Sequence, residues 1–236
     1  MAITGLAVLA VVGCSGSKVT TKASAELSRY QIRTIALVPF TILTTPQVRD
    51  VVDQAFSMPS EARRTDMALA VLPNTDQLLR ETVTVPTRAG DTVTQLLWSR
   101  LKTRKGVTVL APSEAAKVLA SQTVTQLSAS PPPAVTVAKA LKADASLIGQ
   151  VSMYQERVGG RFGAHPPATV GFEAKIVAAD GQVLWVGSYY ERQRPMTEDV
   201  MGFIQRYGVF VTAEELAAYG VEHLLLEFPF GTVEDR

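Results

Sequence analysis

Three alternating runs in the C-terminal half limit the fold of this chain more than any other feature. Leu147, Gly149, Val151 and Met153 alternate with Ile148, Gln150, Ser152 and Tyr154, and Val170, Phe172, Ala174 and Ile176 alternate with Gly171, Glu173 and Lys175. A third run, Val183 to Arg192, carries Trp185 and Tyr189 on one face. Successive side chains of a strand point to opposite faces, so a period of two marks strands with one face turned to a core. Asp180-Gly181, between the second and third runs, is a strong short hairpin signal. The three runs predict an antiparallel meander, with a long loop at Val158 to Pro167 and a tight turn at Asp180-Gly181. Trp185 and Tyr189 are expected to pack in the core.

Upstream, Ile35 to Val38 is apolar at every position and closed by Pro39, which suits a central strand covered on both faces. Asp91 reads as an N-cap ahead of Val93, Leu96, Leu97 and Leu101 at helical spacing. The cations of Lys102 to Lys105 and then Gly106 fit a helix C-terminus. Val107 to Leu110 follows as a short strand, and Pro112-Ser113-Glu114 opens a helix with Ala115, Val118 and Leu119. Ser128 to Pro133 breaks that helix, and Pro133 begins another that runs to Leu141. After the meander, Thr197 to Arg206 looks helical. Thr212 to Glu215 matches a capping box. It opens a helix with Ala217, Val221, Leu224 and Phe228 on one side and Gly220 as a weak spot. The order predicts an α/β fold, a mixed sheet with a C-terminal antiparallel three-stranded meander and helices packed against it. Residues 31–230 read as one domain with an insertion at about 41–90. Within that insertion Pro46 to Phe56 and Thr75 to Arg80 are weak helices, and Glu81 to Pro86 alternates like an edge strand.

The N-terminus addresses location. Met1 to Gly13 holds no Asp, Glu, Lys or Arg and ends in Leu9-Ala10-Val11-Val12-Gly13-Cys14-Ser15. That is the form of a signal peptide, residues 1–13, with a lipoprotein cleavage box: a small residue before a cysteine that carries diacylglycerol. A transmembrane helix needs about 20 apolar residues, and this run stops short. Cys14 is the only cysteine, and a lone cysteine in an exported chain asks for an explanation other than a disulfide. Lipidation supplies one. Ser15 in place of an aspartate points to the outer membrane, with the domain facing the periplasm. Lys18 to Ser28 is small and polar, so residues 14–30 read as a lipidated N-terminus and flexible tether.

The lipobox at Cys14, the strand Ile35 to Phe40, the passage from Val137 to Gly149 and the hairpin ending in Trp185 together resemble a class of bacterial envelope lipoproteins. Their domain is like the N-terminal domain of the translocation protein TolB, and the class includes the curli-secretion lipoprotein CsgG and lipoprotein activators of penicillin-binding proteins. The resemblance covers most of residues 31–193. It implies an α/β sandwich acting as a non-catalytic adaptor or assembly component on the periplasmic side of an outer membrane.

A search for chemistry yields little. The two histidines, His165 and His223, fall in a loop and a helix with no metal-ligand spacing, and no cofactor motif is present. Gly159 to Gly163 lacks the following helix that a phosphate loop requires, and reads as a mobile hairpin tip. Glu191 to Arg194 and Arg63-Arg64 read as solvated surface. With 23 basic and 22 acidic residues the chain builds no field that would gather nucleic acid. The sequence points to no enzyme. The loop from Val158 to Pro167 is longer than a hairpin needs, and long loops in compact domains are often functional. Arg157, Arg161, Phe162 and His165 bring to it the guanidinium and aromatic groups enriched at interfaces, so they are expected to contact an envelope protein. The expected partners are the membrane, through lipid on Cys14, envelope proteins and further copies of the chain. The alternative is a subunit of an oligomeric export channel. A membrane barrel then needs alternating strands of about 9–11 residues, and residues 41–90 offer no clean pair.

Overall fold

The computed structural model describes residues 18–48, 82–121, 132–194, 204 and 208–232. The leader, Cys14, both weak helices of the insertion beyond Val48, and the 197–206 helix apart from helical Ile204 lie outside the described residues.

The architecture is α/β. Strands β1 (Val19–Ala23), β2 (Thr34–Leu37), β3 (Thr41–Ile42), β6 (Thr108–Leu110), β7 (Ala145–Gln155), β10 (Thr169–Ala178) and β11 (Val183–Arg192) form one mixed sheet in the order β1-β11-β10-β7-β2-β6, with β3 beside β7. The strands β7, β10 and β11 are the antiparallel meander, and β2 is parallel to both its neighbours, β6 and β7. Among the described residues four helices cover the sheet: α1 (Arg88–Leu101), α2 (Pro112–Ala120), α3 (Pro133–Ala140) and α4 (Ala213–Leu226). Helices α1 and α4 pack on one face, and α2 and α3 on the other.

Strand β2 shows why an all-apolar run belongs at the centre. Ile35 and Leu37 join the large core under α1 and α4, while Ala36 and Val38 join a smaller one under α2 and α3. The turn at Asp180-Gly181 closes as expected, with Gly181 at φ +99° and the Gln182 N–H donating to Asp180 Oδ1. Thr212 and Glu215 make the reciprocal capping box. Trp185 and Tyr189 are buried; Trp185 meets Phe228 edge-on at 5.3 Å between centroids, and Tyr189 lies 5.4 Å from Phe172. Below α1, Arg104 donates to the carbonyls of Leu225, Phe230 and Gly231 and stacks over Phe228, fastening the C-terminal segment.

Several local expectations are corrected. Residues 19–23, expected within a flexible tether, are β1, paired antiparallel with β11 from Val19↔Tyr189 to Ala23↔Trp185. Gln47–Val48, expected to open a helix, is strand β4, and it pairs with β5 (Thr82–Val83), so the two flanks of residues 49–81 are drawn together. Helix α1 begins at Arg88, with Asp91 in its first turn rather than at its cap. In β7 the register shifts opposite Gly171/Phe172, an irregularity of the β-bulge kind. Val151 and Tyr154 therefore both reach the core, against the simple alternation. Gly220 is no weak spot: a Cβ there would enter the Tyr189 ring, so glycine lets α4 lie close on β11.

Candidate functional site

The loop after β7 is a hydrogen-bonded ribbon. Its strands β8 (Gly159–Gly160) and β9 (Gly163–Ala164) pair antiparallel, and below them the Val158 N–H donates to the Pro166 carbonyl while the His165 N–H donates to the Val158 carbonyl. Gly159 sits at φ +113°, and a Cβ there would lie 2.5 Å from the Gly163 oxygen. Only glycine suits that corner. Gly160 and Gly163 face open space. The turn is Arg161-Phe162, and the Phe162 side chain is 91% exposed.

The N-terminus of α4 fixes the base and one side of this ribbon. The Phe210 N–H donates to the Arg161 carbonyl at 2.7 Å, and Arg161 Nη2 pairs with Glu215 Oε1 at 3.2 Å. Glu156, just past β7, accepts from the Ala213 N–H with both carboxylate oxygens. Such a carboxylate satisfies a helix donor that would otherwise lack a partner and complements the helix dipole. Arg157 Nη1 donates to the Gly159 carbonyl across its own bend. The Thr212 backbone N–H, the Thr212 hydroxyl and the charges of Arg161 and Arg157 hold the Glu215 carboxyl below its ordinary range, against some opposing desolvation.

All four residues singled out from the sequence lie on this ribbon, but they are not equivalent. Arg157 and Arg161 are engaged within the molecule and hold the ribbon's shape. Phe162 projects from it, and His165 is exposed while its N–H closes the ribbon's base. Cys14 lies outside the described residues.

Two further residues position the site and correct the expectation that Glu191 to Arg194 is solvated surface. Glu191 is buried, accepting from the Tyr189 hydroxyl at 2.7 Å and pairing with Lys18 at 3.1 Å. Gln193 is also buried; its side chain donates to the Val209 carbonyl and accepts from the Val211 N–H, which holds the segment that presents Phe210 and Thr212. The signal was present: the alternation Trp185, Gly187, Tyr189 continues through 191 to 193 on the core face.

Among the described residues the arrangement offers ionic and apolar contacts. His223 stacks on Tyr219 at 4.0 Å between centroids, on α4. Among the described residues no cluster of three or more His, Cys, Asp or Glu is placed to hold a metal, and no helix is long and apolar enough to cross a membrane.

The structure is similar to PelC from Paraburkholderia phytofirmans, described as a dodecamer, at 12% identity over 88% of this chain and 93% of that one, with a TM-score of 0.44. It is similar to the LpoB C-terminal domain from Salmonella enterica, at 9% identity over 71% and 93%, with a TM-score of 0.35. It is also similar to the lipoprotein GNA1162 from Neisseria meningitidis, at 15% identity over 74% and 97%, with a TM-score of 0.34. The mixed sheet with its antiparallel meander, expected from the sequence, is the architecture observed. No protein-family model matches the sequence, and comparison with curated proteins gives no match.

Proposed function

We propose that this protein is a lipid-anchored, non-catalytic adaptor or assembly lipoprotein of the bacterial envelope, held on the outer membrane and facing the periplasm. One observation carries it: an uncharged apolar leader ends at Gly13-Cys14-Ser15, and Cys14 is the chain's single cysteine. Each methylene buried in a bilayer contributes about 0.8 kcal/mol, and one acyl chain binds only marginally, so stable attachment needs more than one signal. Three chains on Cys14 meet that need.

The experiment is a detergent phase partition of full-length protein made in a host that processes lipoproteins. Wild type enters the detergent phase and Cys14→Ala stays in the aqueous phase; wild type remaining aqueous defeats the proposal. The size of the extracted particle separates the roles. A monomer or dimer fits an adaptor, and a ring of many copies fits a subunit of an export channel.

A further inference from the structure

The topology places the ribbon and the entry of the chain into the sheet at the same end. Strand β7 ends at Gln155 and β10 begins at Thr169, so the ribbon rises from the end where β11 finishes, at Arg192. Strand β1 is antiparallel to β11 and starts at Val19 opposite Tyr189, so the chain enters the sheet at that same end. Four residues separate Cys14 from Val19, and the five steps of chain between them span at most about 18 Å. Across the sheet, two strand spacings, about 10 Å, separate β1 from β10 at the root of the ribbon. A lipid on Cys14 therefore holds this end of the domain against the headgroups, with no room for a long stand-off.

The surface at this end suits that position. Phe162 is 91% exposed at the ribbon tip, Val158 is 61% exposed at its base, and Tyr190 is 56% exposed near the C-terminal end of β11. The charges at this end are of both signs: Lys18 pairs with Glu191 and Arg161 with Glu215, Glu156 accepts from the Ala213 N–H, and Arg157, Arg192 and Arg194 stand against Glu214. Apolar insertion rather than attraction to anionic headgroups is the chemistry on offer.

We infer that the ribbon is a second membrane contact, which seats Phe162 in the headgroup–acyl boundary and orients the lipidated domain end-on to the bilayer. This rests on lipidation of Cys14 and changes the expected occupant of the ribbon from an envelope protein to the lipid surface. Exposed aromatic and aliphatic side chains lie stably at that boundary. Arg157 and Arg161 act as positioning residues that hold the tip in place.

The test uses the full acylated chain with Phe162→Cys, whose new thiol is the only free one once Cys14 carries lipid, labelled with a nitroxide. Mass spectrometry first establishes acylation. The protein is then reconstituted in vesicles of phosphatidylethanolamine and phosphatidylglycerol, and separately of phosphatidylcholine. The label is expected to collide with oxygen severalfold more, relative to a water-soluble nickel chelate, in both vesicle types than in detergent-free Cys14→Ala protein. A label at Val183→Cys, at the far end of the sheet, is expected to stay aqueous. An acylated protein whose 162 label stays aqueous in vesicles overturns the inference and leaves the anchor standing. Protection seen in native envelopes but not in protein-free vesicles also overturns it, in favour of a protein partner. An unacylated wild type removes the anchor and the inference together.

Discussion

The two faces of the sheet are built differently although they share the same strands. Under α1 and α4 the core holds Phe172, Trp185, Tyr189, Leu97, Leu216, Leu224 and Phe228. Under α2 and α3 it holds Ala36, Val38, Ala115, Val137 and Ala143, with a separate patch of Ala134, Val135 and Val177. Small side chains let helices approach a sheet closely, but they remove less apolar area from water, and stabilisation follows that area. The difference teaches where the molecule is rigid. The aromatic face carries α4, and α4 carries the ribbon, so the site is mounted on the more strongly stabilised layer.

That contrast makes graded predictions, each read from chemical denaturation. Phe172→Ala, which empties the aromatic face beside Tyr189, is expected to cost about 3–5 kcal/mol. Val137→Ala, its counterpart on the buried side of α3, is expected to cost about 2 kcal/mol, from two lost methyls and a small cavity. Equal costs would erase the distinction between the faces.

Gly220→Ala sharpens it, because two effects compete. Alanine gains about 1 kcal/mol of helix propensity over glycine, while forcing a methyl into a filled core costs about 1–3 kcal/mol. A Cβ on Gly220 would enter the buried Tyr189 ring, so the net change is expected to be destabilising. A more stable variant would show that α4 is free to rise from the sheet. Thr212→Ala is expected to cost about 1 kcal/mol through loss of the cap, and to increase protease cleavage at the ribbon.

The smallest effect is with pH. Glu215 is held below its ordinary range in the folded state, so its contribution is complete above the unfolded carboxyl value, about 4.3, and is lost as pH falls through the lower folded value. Amide signals of Phe162 and Gly163 should shift in that acid window in wild type and not in Glu215→Gln. Shifts that survive the substitution would assign the effect to another group.

Legibility followed physical cause. The meander was plain because burial of one face imposes alternation, and Asp180-Gly181 marks its own turn. Strand β1 was hidden because an edge strand pairs on one side only, and Val19-Thr20-Thr21-Lys22-Ala23 leaves little apolar pattern. Glu191 and Gln193 were obscured by their charged and polar neighbours, although the period of two continued through them. The ribbon's content was readable, but its support was not: Arg161 meets Glu215 across 54 positions of chain, a pairing that no local rule contains.

The antiparallel register of β1 on β11 also sets how the protein bears load. Tension on the N-terminal segment, directed away from the domain, runs along β1 rather than across it. The ladder bonds lie perpendicular to the strands, so all five residue pairs from Val19↔Tyr189 to Ala23↔Trp185 are sheared together. Pulled across the sheet instead, the same ladder would peel open one pair at a time. On the proposed lipid anchoring, motion of the membrane would load the edge strand in this mechanically stronger direction.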